Sequence, residues 1–266
     1  MPALTKENVV KAIEDTGFPL ELRAANLFAN RGYHVASSLY YVDRDEGKGR
    51  EIDLRALLNR QWERAGQTFL VRHCLLVECK RYRKRPWVVF TNASTGYDKR
   101  PNQLDLRGGS SKARWQADLP GIIGASHPLF DTPRLGRGYT ELFRESNQEE
   151  ADSPIFKALT TAVKATLAAR EAKFAAGDKS ICVYYPLVVL DGMLWESFLD
   201  GKSIDAIEQT SVVVSFFYES PNYPLEGFRV PIVVEAALPA FLGRLEKVLD
   251  QMNDYFQSRA EAFPDK

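Results

Sequence analysis

The stretch EIDLRALLNRQWERAGQTFLVRHCLLVECK, residues 51–80, decides the fold because it contains two strand patterns on either side of a loop near Gly66. Its opening part, EIDLRALL, alternates between apolar and polar residues, which is typical of a half-buried strand. The run from Phe69 to Lys80 is rich in apolar residues and predicts a further strand. The alternation in the earlier strand places Asp53 on one face and these apolar residues on the other: Ile52, Leu54, Ala56 and Leu58.

Charged side chains lie at matching ends of these two predicted strands. Glu78 and Lys80 are two residues apart and therefore share one face of the later strand, while Cys79 points to the opposite face with the apolar residues. If the two strands pair in antiparallel fashion, Asp53 lies across from Glu78 and Lys80, with side chains about 5 Å apart. The stretch therefore predicts a site made of two carboxylates and one ammonium group.

A third acid, Glu21, lies near the start of a predicted helix. Proline suits a first helical turn and glycine a helix end, so Pro19 and Gly32 bound a helix over residues 19–31. Apolar residues follow Glu21 at positions three, four and seven, so this acid borders the face that packs inward. The alternative is that Glu21 only complements the positive end of the helix dipole. A shorter helix over 6–15 and a strand over 33–42 are also predicted.

These residue types suit hydrolysis of a phosphodiester bond. Magnesium prefers oxygen ligands and commonly takes one or two carboxylates from the protein. Asp53 and Glu78 are the candidate carboxylates, and the carbonyl of Cys79 is a candidate third oxygen ligand. Lys80 would orient the attacking water and balance the charge that develops at phosphorus, and Glu21 would hold a water beside the metal. Each piece alone is more often an ordinary surface ion pair, but their joint order favours a site.

The motifs resemble the PD-(D/E)xK, or restriction-endonuclease-like, nuclease superfamily. Asp53 matches its first motif acid, Glu78-Cys79-Lys80 matches its second motif, and Glu21 matches its helix acid. The resemblance covers residues 19–82. Within the superfamily, this part of the chain is similar to the type IV restriction and Holliday-junction-resolvase branches. Ile52 stands where the motif name has proline, a position that varies within the superfamily.

The resemblance implies an α/β fold whose restriction-endonuclease-like core has the order α-β-β-β-α-β. It also implies Mg²⁺ as the cofactor, with Mn²⁺ as a possible substitute. The later sequence fits this order, because residues 153–177 have a helix pattern that begins at Ser153-Pro154 and ends at Gly177, and an apolar strand pattern follows. That strand is expected to turn back in a hairpin at Asp191-Gly192. Two further strands and a C-terminal amphipathic helix over 239–256 are expected to extend the sheet as a mixed sheet.

The chain is predicted to form a single nuclease-like domain, 1–266, because its 45% hydrophobic content can fill one large core. We expect the core at 17–85 and 153–191, a long insertion after the third strand at 86–152, and a C-terminal extension at 192–266. The insertion and the residues before it contain basic side chains that could follow a phosphate backbone. A solvated loop is an equally good interpretation. The candidate nucleic-acid-binding residues are Arg81, Arg83, Lys84, Arg85, Lys99, Arg100, Arg107, Lys112 and Arg114.

Composition excludes several classes of protein. Thirty-five basic and thirty-five acidic residues cancel, so a nucleic-acid coat protein with a broad positive field is not indicated, and any DNA contact must use a local patch. Three cysteines without paired spacing argue against a disulfide framework or a structural zinc site. No stretch approaches the roughly 20 apolar residues of a membrane span. The sequence therefore predicts a cytoplasmic protein with no membrane partner.

The leading hypothesis from the sequence is a Mg²⁺-dependent DNA endonuclease in restriction, defence or repair, possibly a homodimer or a member of a defence system with partner subunits. One alternative is a catalytically weak nuclease-fold module that binds nucleic acid or assembles with partners. Another is an RNA-processing nuclease, since no residue pattern reads the 2′-hydroxyl. No helix-turn-helix or zinc finger is evident, so targeting is expected to depend on structure, modification or a partner.

Overall fold

The computed structural model describes residues 4–64, 66–96, 98, 105–107, 127–143, 153–171 and 180–258. The helices are α1 (Lys6–Glu14), α2 (Phe18–Asn30), α3 (Pro154–Glu171) and α4 (Leu238–Ser258), with a 3₁₀ turn at Glu235–Ala237. The strands are β1 (His34–Asp43), β2 (Lys48–Arg64), β3 (Gln67–Ala93), β4 (Asp105–Arg107), β5 (Arg134–Glu141), β6 (Ser180–Asp200), β7 (Ser203–Gln209), β8 (Ser211–Ser220) and β9 (Tyr223–Val234).

The strands of the described chain form one sheet with both parallel and antiparallel pairs. Strand β3 is its centre: it pairs with β2 and β5 in antiparallel fashion and with β6 in parallel. Strand β8 pairs with β9, β9 pairs with β6, and a single bridge between Gly136 and Val214 joins β5 to β8. The order β3, β5, β8, β9, β6 and back to β3 is therefore a closed five-stranded circuit.

The expected mixed α/β architecture with a C-terminal helix is confirmed, but the late strands do not extend an open sheet. They close back onto β3 through β5. Gly136 makes this closure possible, because a Cβ at that position would lie 2.6 Å from Cγ1 of Val89 and 3.2 Å from the carbonyl oxygen of Val213. No residue pattern in the sequence marks this long-range bridge.

Two predicted strand ends were wrong. Strand β3 does not end at Lys80 but continues to Ala93. Its register with β6 shifts between Tyr82 and Trp87, within the polar run RYRKRP. Part of the predicted insertion at 86–152 therefore belongs to the sheet, as the end of β3 and as β5. Strand β6 passes straight through Asp191-Gly192, and its hairpin with β7 forms at Gly201 instead.

Gly192 has a packing role in place of the predicted turn. It lies opposite Tyr82 of β3, and a Cβ on Gly192 would approach the carbonyl oxygen of Tyr82 to 2.2 Å. Gly201, by contrast, has φ of 62°, the left-handed conformation that glycine adopts without strain. An Asp-Gly pair in the sequence thus marks a close approach of two strands, and the actual turn is ten residues further along.

Helices cover both faces of the sheet. On one face, α2 and α4 pack on β2, β3 and β6 in the largest apolar cluster, which includes Phe28, Leu54, Val77 and Leu249. On the other face, α3 packs on the closed circuit and on Ile52 of β2 and Cys74 and Leu76 of β3. The predicted stripe of α4 is buried as expected: Phe241, Leu245, Val248, Leu249 and Met252.

A buried ion cluster fixes α3 to the turn between β1 and β2. Nζ of Lys164 on α3 lies 2.9 and 2.8 Å from the two carboxylate oxygens of Asp43 and 2.8 Å from Oδ2 of Asp45. Asp45 also accepts hydrogen bonds from Tyr218 and Ser220 of β8. We call Lys164, Asp43, Asp45, Tyr218 and Ser220 the Lys164 cluster. Within the described ranges, no helix is long and apolar enough to cross a bilayer.

Candidate active site

The predicted pairing of β2 with β3 is present, and it stops at the candidate acids. The antiparallel ladder runs from Arg64 opposite Gln67 to Leu54 opposite Val77. Beyond this pair, the carboxylate of Asp53 takes the place of a backbone partner, because its Oδ2 accepts a hydrogen bond of 2.6 Å from the backbone N–H of Cys79. The end of the ladder therefore brings Asp53 against the segment that carries Glu78 and Lys80.

Strand β1 is distorted at the same level. Ser38 lies across from Asp53, between the pairs Ser37–Leu54 and Leu39–Ile52, and has φ of 53° in the left-handed region. Such a conformation is uncommon for a residue other than glycine and is often found at functional sites.

The distortion also changes the sheet face on which Ile52 lies. Leu54, Ala56 and Leu58 lie in the cluster under α2 and α4, but Ile52 packs with Cys74 and Leu76 on the opposite face. Side chains stop alternating strictly between the two faces where Ser38 and Asp53 interrupt the β1–β2 pairing. The prediction that Ile52 shares a face with Leu54, Ala56 and Leu58 was therefore wrong.

Glu78 and Lys80 are held in place by β6 on the other side of β3. Glu78 lies opposite Val188, and Lys80 opposite Leu190, in an uninterrupted parallel ladder. The side chain of Glu78 is only 5% exposed, whereas that of Lys80 is 34% exposed. Their side chains form an ion pair through Oε1 of Glu78, while its Oε2 is buried and makes no hydrogen bond. An unpaired buried carboxylate oxygen is costly, and it is an open position for a cation.

Burial raises the pKa of every acid in this group, and the charges of nearby acids add to each shift. Burial, with smaller effects from neighbouring charges, raises the pKa of Glu78 to about 7. Burial also raises the pKa of Asp53, although the Cys79 N–H and Lys80 oppose the shift. For Glu21, burial and then the charge of Asp53 raise the pKa. Lys80 does not fully neutralise the three acids, so an additional positive charge would stabilise their ionised forms.

Glu21 is the outermost member of the group. It lies in the first turn of α2, whose buried residues Ala24 and Phe28 follow at the predicted spacing, and its side chain is partly exposed. Its electrostatic coupling to Asp53 and Lys80 places it on the same side of the molecule. We call Glu21, Asp53, Glu78 and Lys80 the acid site. The thiol of Cys79 faces the core, as predicted, which leaves only its backbone to contribute.

The acid site is not a preformed metal cage. Among the described residues, no group of three or more His, Cys, Asp or Glu side chains lies close enough to hold a metal ion in the present arrangement. The contacts explain why: the ammonium of Lys80 lies against Glu78, and Asp53 is engaged with the Cys79 N–H. A metal held by two carboxylates, with waters and substrate completing its shell, does not need a third acid in direct contact.

The predicted nucleic-acid-binding residues differ in their surroundings. Arg81 lies 3.3 Å from Oδ1 of Asp15 and 3.6 Å from Oδ2 of Asp191, and Arg83 lies 2.8 Å from the same Asp191 oxygen. These two arginines are thus paired with acids, whereas Lys84 is exposed. For Arg85 the structure shows partial burial. The side chain of Arg107, and all of Lys99, Arg100, Lys112 and Arg114, lie outside the described residues.

Three residues near the acid site were not selected from the sequence. Asp191 anchors the two arginines, but its Asp-Gly context suggested a turn. Tyr41 and Arg55 lie on the α3 side of β1 and β2, beside Leu76. Tyr41 is close enough to Glu78 that this acid, after burial and Asp43, raises its pKa. Arg55 is a charged residue within an apolar strand pattern, which is a sequence signal for a special role. That role cannot be read from the strand alone, because the cavity beside Arg55 is completed by helix α3, which is distant in sequence.

In comparisons with known proteins, no protein-family model, curated protein or solved structure matches the chain.

Proposed function

We propose that this protein is a divalent-metal-dependent endonuclease that hydrolyses phosphodiester bonds of DNA. The observation that carries the proposal is the buried, unpaired Oε2 of Glu78 beside Asp53, at the place where β2 separates from β3. Three acids whose pKa values are all raised, with one lysine between them, form a site that favours binding of a cation. Perturbed acids of this kind are concentrated at functional sites.

Each residue has a role that agrees with its position. Asp53 and Glu78 would hold Mg²⁺ or Mn²⁺, with the backbone carbonyl of Cys79 as a further oxygen ligand. The metal would neutralise phosphate charge and lower the pKa of a water molecule. Lys80 is held by Glu78 at the rim, where its partly exposed ammonium can contact a phosphate oxygen. Glu21, at the outer edge, can accept a hydrogen bond from a water that approaches the site.

The order of elements supports the resemblance to restriction-endonuclease-like nucleases. Helix α2, strands β1 to β3, helix α3 and strand β6 follow the α-β-β-β-α-β order, with β4 and β5 inserted before α3. The closed circuit through β5, β8 and β9 is an addition to that order. Strand β5 pairs with β3 from Trp87 onward, beyond the segment Gln67–Val77 that pairs with β2. On the edge away from β6, the part of β3 that carries Glu78 and Lys80 therefore has no strand partner among the described strands.

DNA is the proposed substrate because its phosphates would match the cations on this part of β3. Lys80 and the exposed Lys84 lie on the same strand and can contact phosphates on either side of the cleaved bond. The paired arginines Arg81 and Arg83 fix this part of β3 to α1 and β6, which holds the lysines in position. A role in restriction, defence or repair is part of the proposal.

The engagement of Lys80 with Glu78 favours a second candidate, a nuclease-fold module that binds nucleic acid without cutting it. In that case the ammonium would be the permanent counterion of the acids. The two candidates differ in a single property, which is whether divalent metal converts binding into cleavage.

Nicking of supercoiled plasmid in Mg²⁺ and in Mn²⁺ tests the proposal. We expect the wild-type protein to nick or linearise the plasmid, and Asp53→Asn to reduce the rate to background. Glu63→Gln is the matched control, since Glu63 is an exposed acid near the other end of β2. Equal, background cleavage by wild type and Asp53→Asn would overturn the enzyme proposal. A parallel assay with single-stranded RNA of the same sequence tests the RNA-processing alternative.

A further inference from the structure

A cavity of about 420 Å³ lies between α3 and the first two strands, on the α3 side of the sheet. Its volume is in the range of pockets that hold small organic ligands, roughly 300–1,000 Å³. The floor is formed by Ile52 and Leu76, and the helix wall by Ala168 and other alanines of α3. Small residues on the helix leave the space, because each of them ends at Cβ.

The cavity adjoins the acid site. Ile52 directly precedes Asp53, and Leu76 precedes Glu78 by two residues on the same face of β3, a distance of about 7 Å along a strand. Tyr41, on the cavity wall, is near enough to Glu78 to be affected by its charge. A molecule in the cavity and a phosphate at the acid site can therefore belong to the same nucleotide chain.

Arg55 is a cation of the cavity for which the described residues provide no acidic partner. Its Nε is buried and makes no hydrogen bond, while the side chain as a whole is only partly buried. The other cation, Arg44, is paired with Glu171 at the rim and lies over the ring of Tyr223. A buried N–H without a partner is costly, and a ligand that offers an acceptor atom would remove this cost.

From these observations we infer that the cavity receives an unpaired nucleobase of the substrate strand. The apolar floor and the aromatic wall suit the face of a base, and Arg55 suits the acceptor atoms on its edge. The inference rests on the proposed function for the identity of the ligand as a nucleic acid. It narrows the substrate to DNA in which a nucleotide near the cleaved bond is unpaired or is turned out of the helix.

Binding measurements without divalent metal test this inference whether or not the chain cuts DNA. The probes are a fluorescent duplex with one unpaired nucleotide and the same duplex with an abasic residue at that position. We expect fluorescence anisotropy to show about tenfold tighter binding of the duplex that carries the base. Ala168→Trp, which fills the cavity from the helix wall, should remove this preference, and Arg55→Met should reduce it.

Ala240→Trp is the control, because Ala240 is an exposed residue of α4 and lies outside the cavity. It should keep the preference. Circular dichroism and thermal unfolding of all variants confirm that they fold. Equal affinity of the wild-type protein for the two duplexes, or a preference that survives Ala168→Trp in a folded protein, would overturn the inference.

The outcome is separable from that of the cleavage assay. A protein that nicks plasmid but binds both duplexes equally is a nuclease without a base pocket. A protein that shows the preference and loses it in Ala168→Trp, but cuts no DNA, has the pocket and supports the binding module over the enzyme.

Discussion

Two groups of acids, each with a lysine, differ in how their carboxylate oxygens are satisfied. The Lys164 cluster lies against α3, and the acid site lies where β2 separates from β3. In the Lys164 cluster, both oxygens of Asp43 contact Nζ of Lys164. Asp45 accepts from Tyr218, Ser220 and Asn222 as well as pairing with the lysine. In the acid site, Lys80 contacts one oxygen of Glu78 and leaves the other without a partner.

Burial raises the pKa of an acid in each group, but the net pKa shifts are opposite. Burial raises the pKa of Asp45, but hydrogen bonds from Lys164, Ser220, Tyr218 and Asn222 outweigh it and hold the pKa well below its usual range. For Glu78, burial prevails and the pKa rises to about 7. A satisfied ion cluster is a structural element, whereas an unsatisfied one has a cost that a ligand can remove. The comparison therefore distinguishes Lys164, whose contacts are satisfied within the fold, from Lys80, for which we propose a functional role.

The largest expected effect is on stability, from Lys164→Met. Removing the lysine leaves Asp43 buried beside Asp45 without a counterion, so we expect the free energy of unfolding to fall by about 3–5 kcal/mol. Urea unfolding followed by circular dichroism measures this change. The triple variant Lys164→Met/Asp43→Asn/Asp45→Asn should recover part of the loss, because no buried charge remains. A loss below about 1 kcal/mol for Lys164→Met would show that the cluster is not a structural element.

Lys80→Met should have the opposite profile. Glu78 already has a raised pKa and can take up a proton when its ammonium partner is removed, so we expect a change in stability of less than about 1 kcal/mol. Plasmid cleavage, however, should fall by about 100- to 1,000-fold, the usual range for loss of one group that stabilises developing charge. Lys202→Met, at the exposed β6–β7 hairpin, is the control and should retain full cleavage. Unchanged cleavage by Lys80→Met would assign Lys80 to structure alone.

Local pattern was enough to predict that Asp53 lies beside Glu78 and Lys80, but it was not enough to predict the closure of the sheet. Asp53, Glu78 and Lys80 were selected because alternation along two strands joined by a short loop fixes which side chains meet. Ile52 was misplaced because the ladder ends beside it, and nothing in its own sequence shows that end. The bridge from Gly136 to Val214 joins residues far apart in the chain, so neither composition nor periodicity contains it.

Asp191-Gly192 shows a related limit. The same dipeptide suits a tight turn and a close contact between strands, and only the presence of Tyr82 on the neighbouring strand decides between them. The Lys164 cluster was missed for the same reason, since its members come from β1, α3 and β8. Sequence periodicity gives the elements and their faces, but the pairing of distant elements decides which charges are satisfied.

Glu78→Gln should change how stability depends on pH in metal-free protein. The folded pKa of Glu78, about 7, is above its ordinary value of 4.5, so its stabilising contribution is present below pH 4.5 and is lost as the pH rises through 7. Since one pKa unit corresponds to about 1.4 kcal/mol, the loss is at most about 3.5 kcal/mol. We expect Glu78→Gln to be more stable than wild type at pH 8 and similar to it at pH 4.5.

Thermal unfolding of both proteins across this pH range, without divalent metal, measures the difference. Asp45→Asn is the contrasting control: the pKa of Asp45 is lowered, so its contribution is present at neutral pH and is lost as the pH falls below about 4. The variant should therefore be destabilised to a similar extent at pH 8 and pH 4.5, with a gap that narrows only below about pH 4. Parallel curves for wild type and Glu78→Gln would contradict the burial of an ionised Glu78.

The smallest expected effect is stabilisation by the metal itself. A ligand at ten times its dissociation constant adds about 1.4 kcal/mol to the free energy of unfolding, which is a rise of a few degrees in Tm for a chain of this size. Mg²⁺ should produce this rise in the wild-type protein and not in Asp53→Asn or Glu78→Gln, while Asp45→Asn should retain it. Because the metal replaces the missing positive charge beside Glu78, the rise should be greater at pH 8 than at pH 5. An equal rise in Tm for wild type and Asp53→Asn would place the bound metal elsewhere on the chain. The acid site and the Lys164 cluster would then differ only in their hydrogen bonding and not in metal binding.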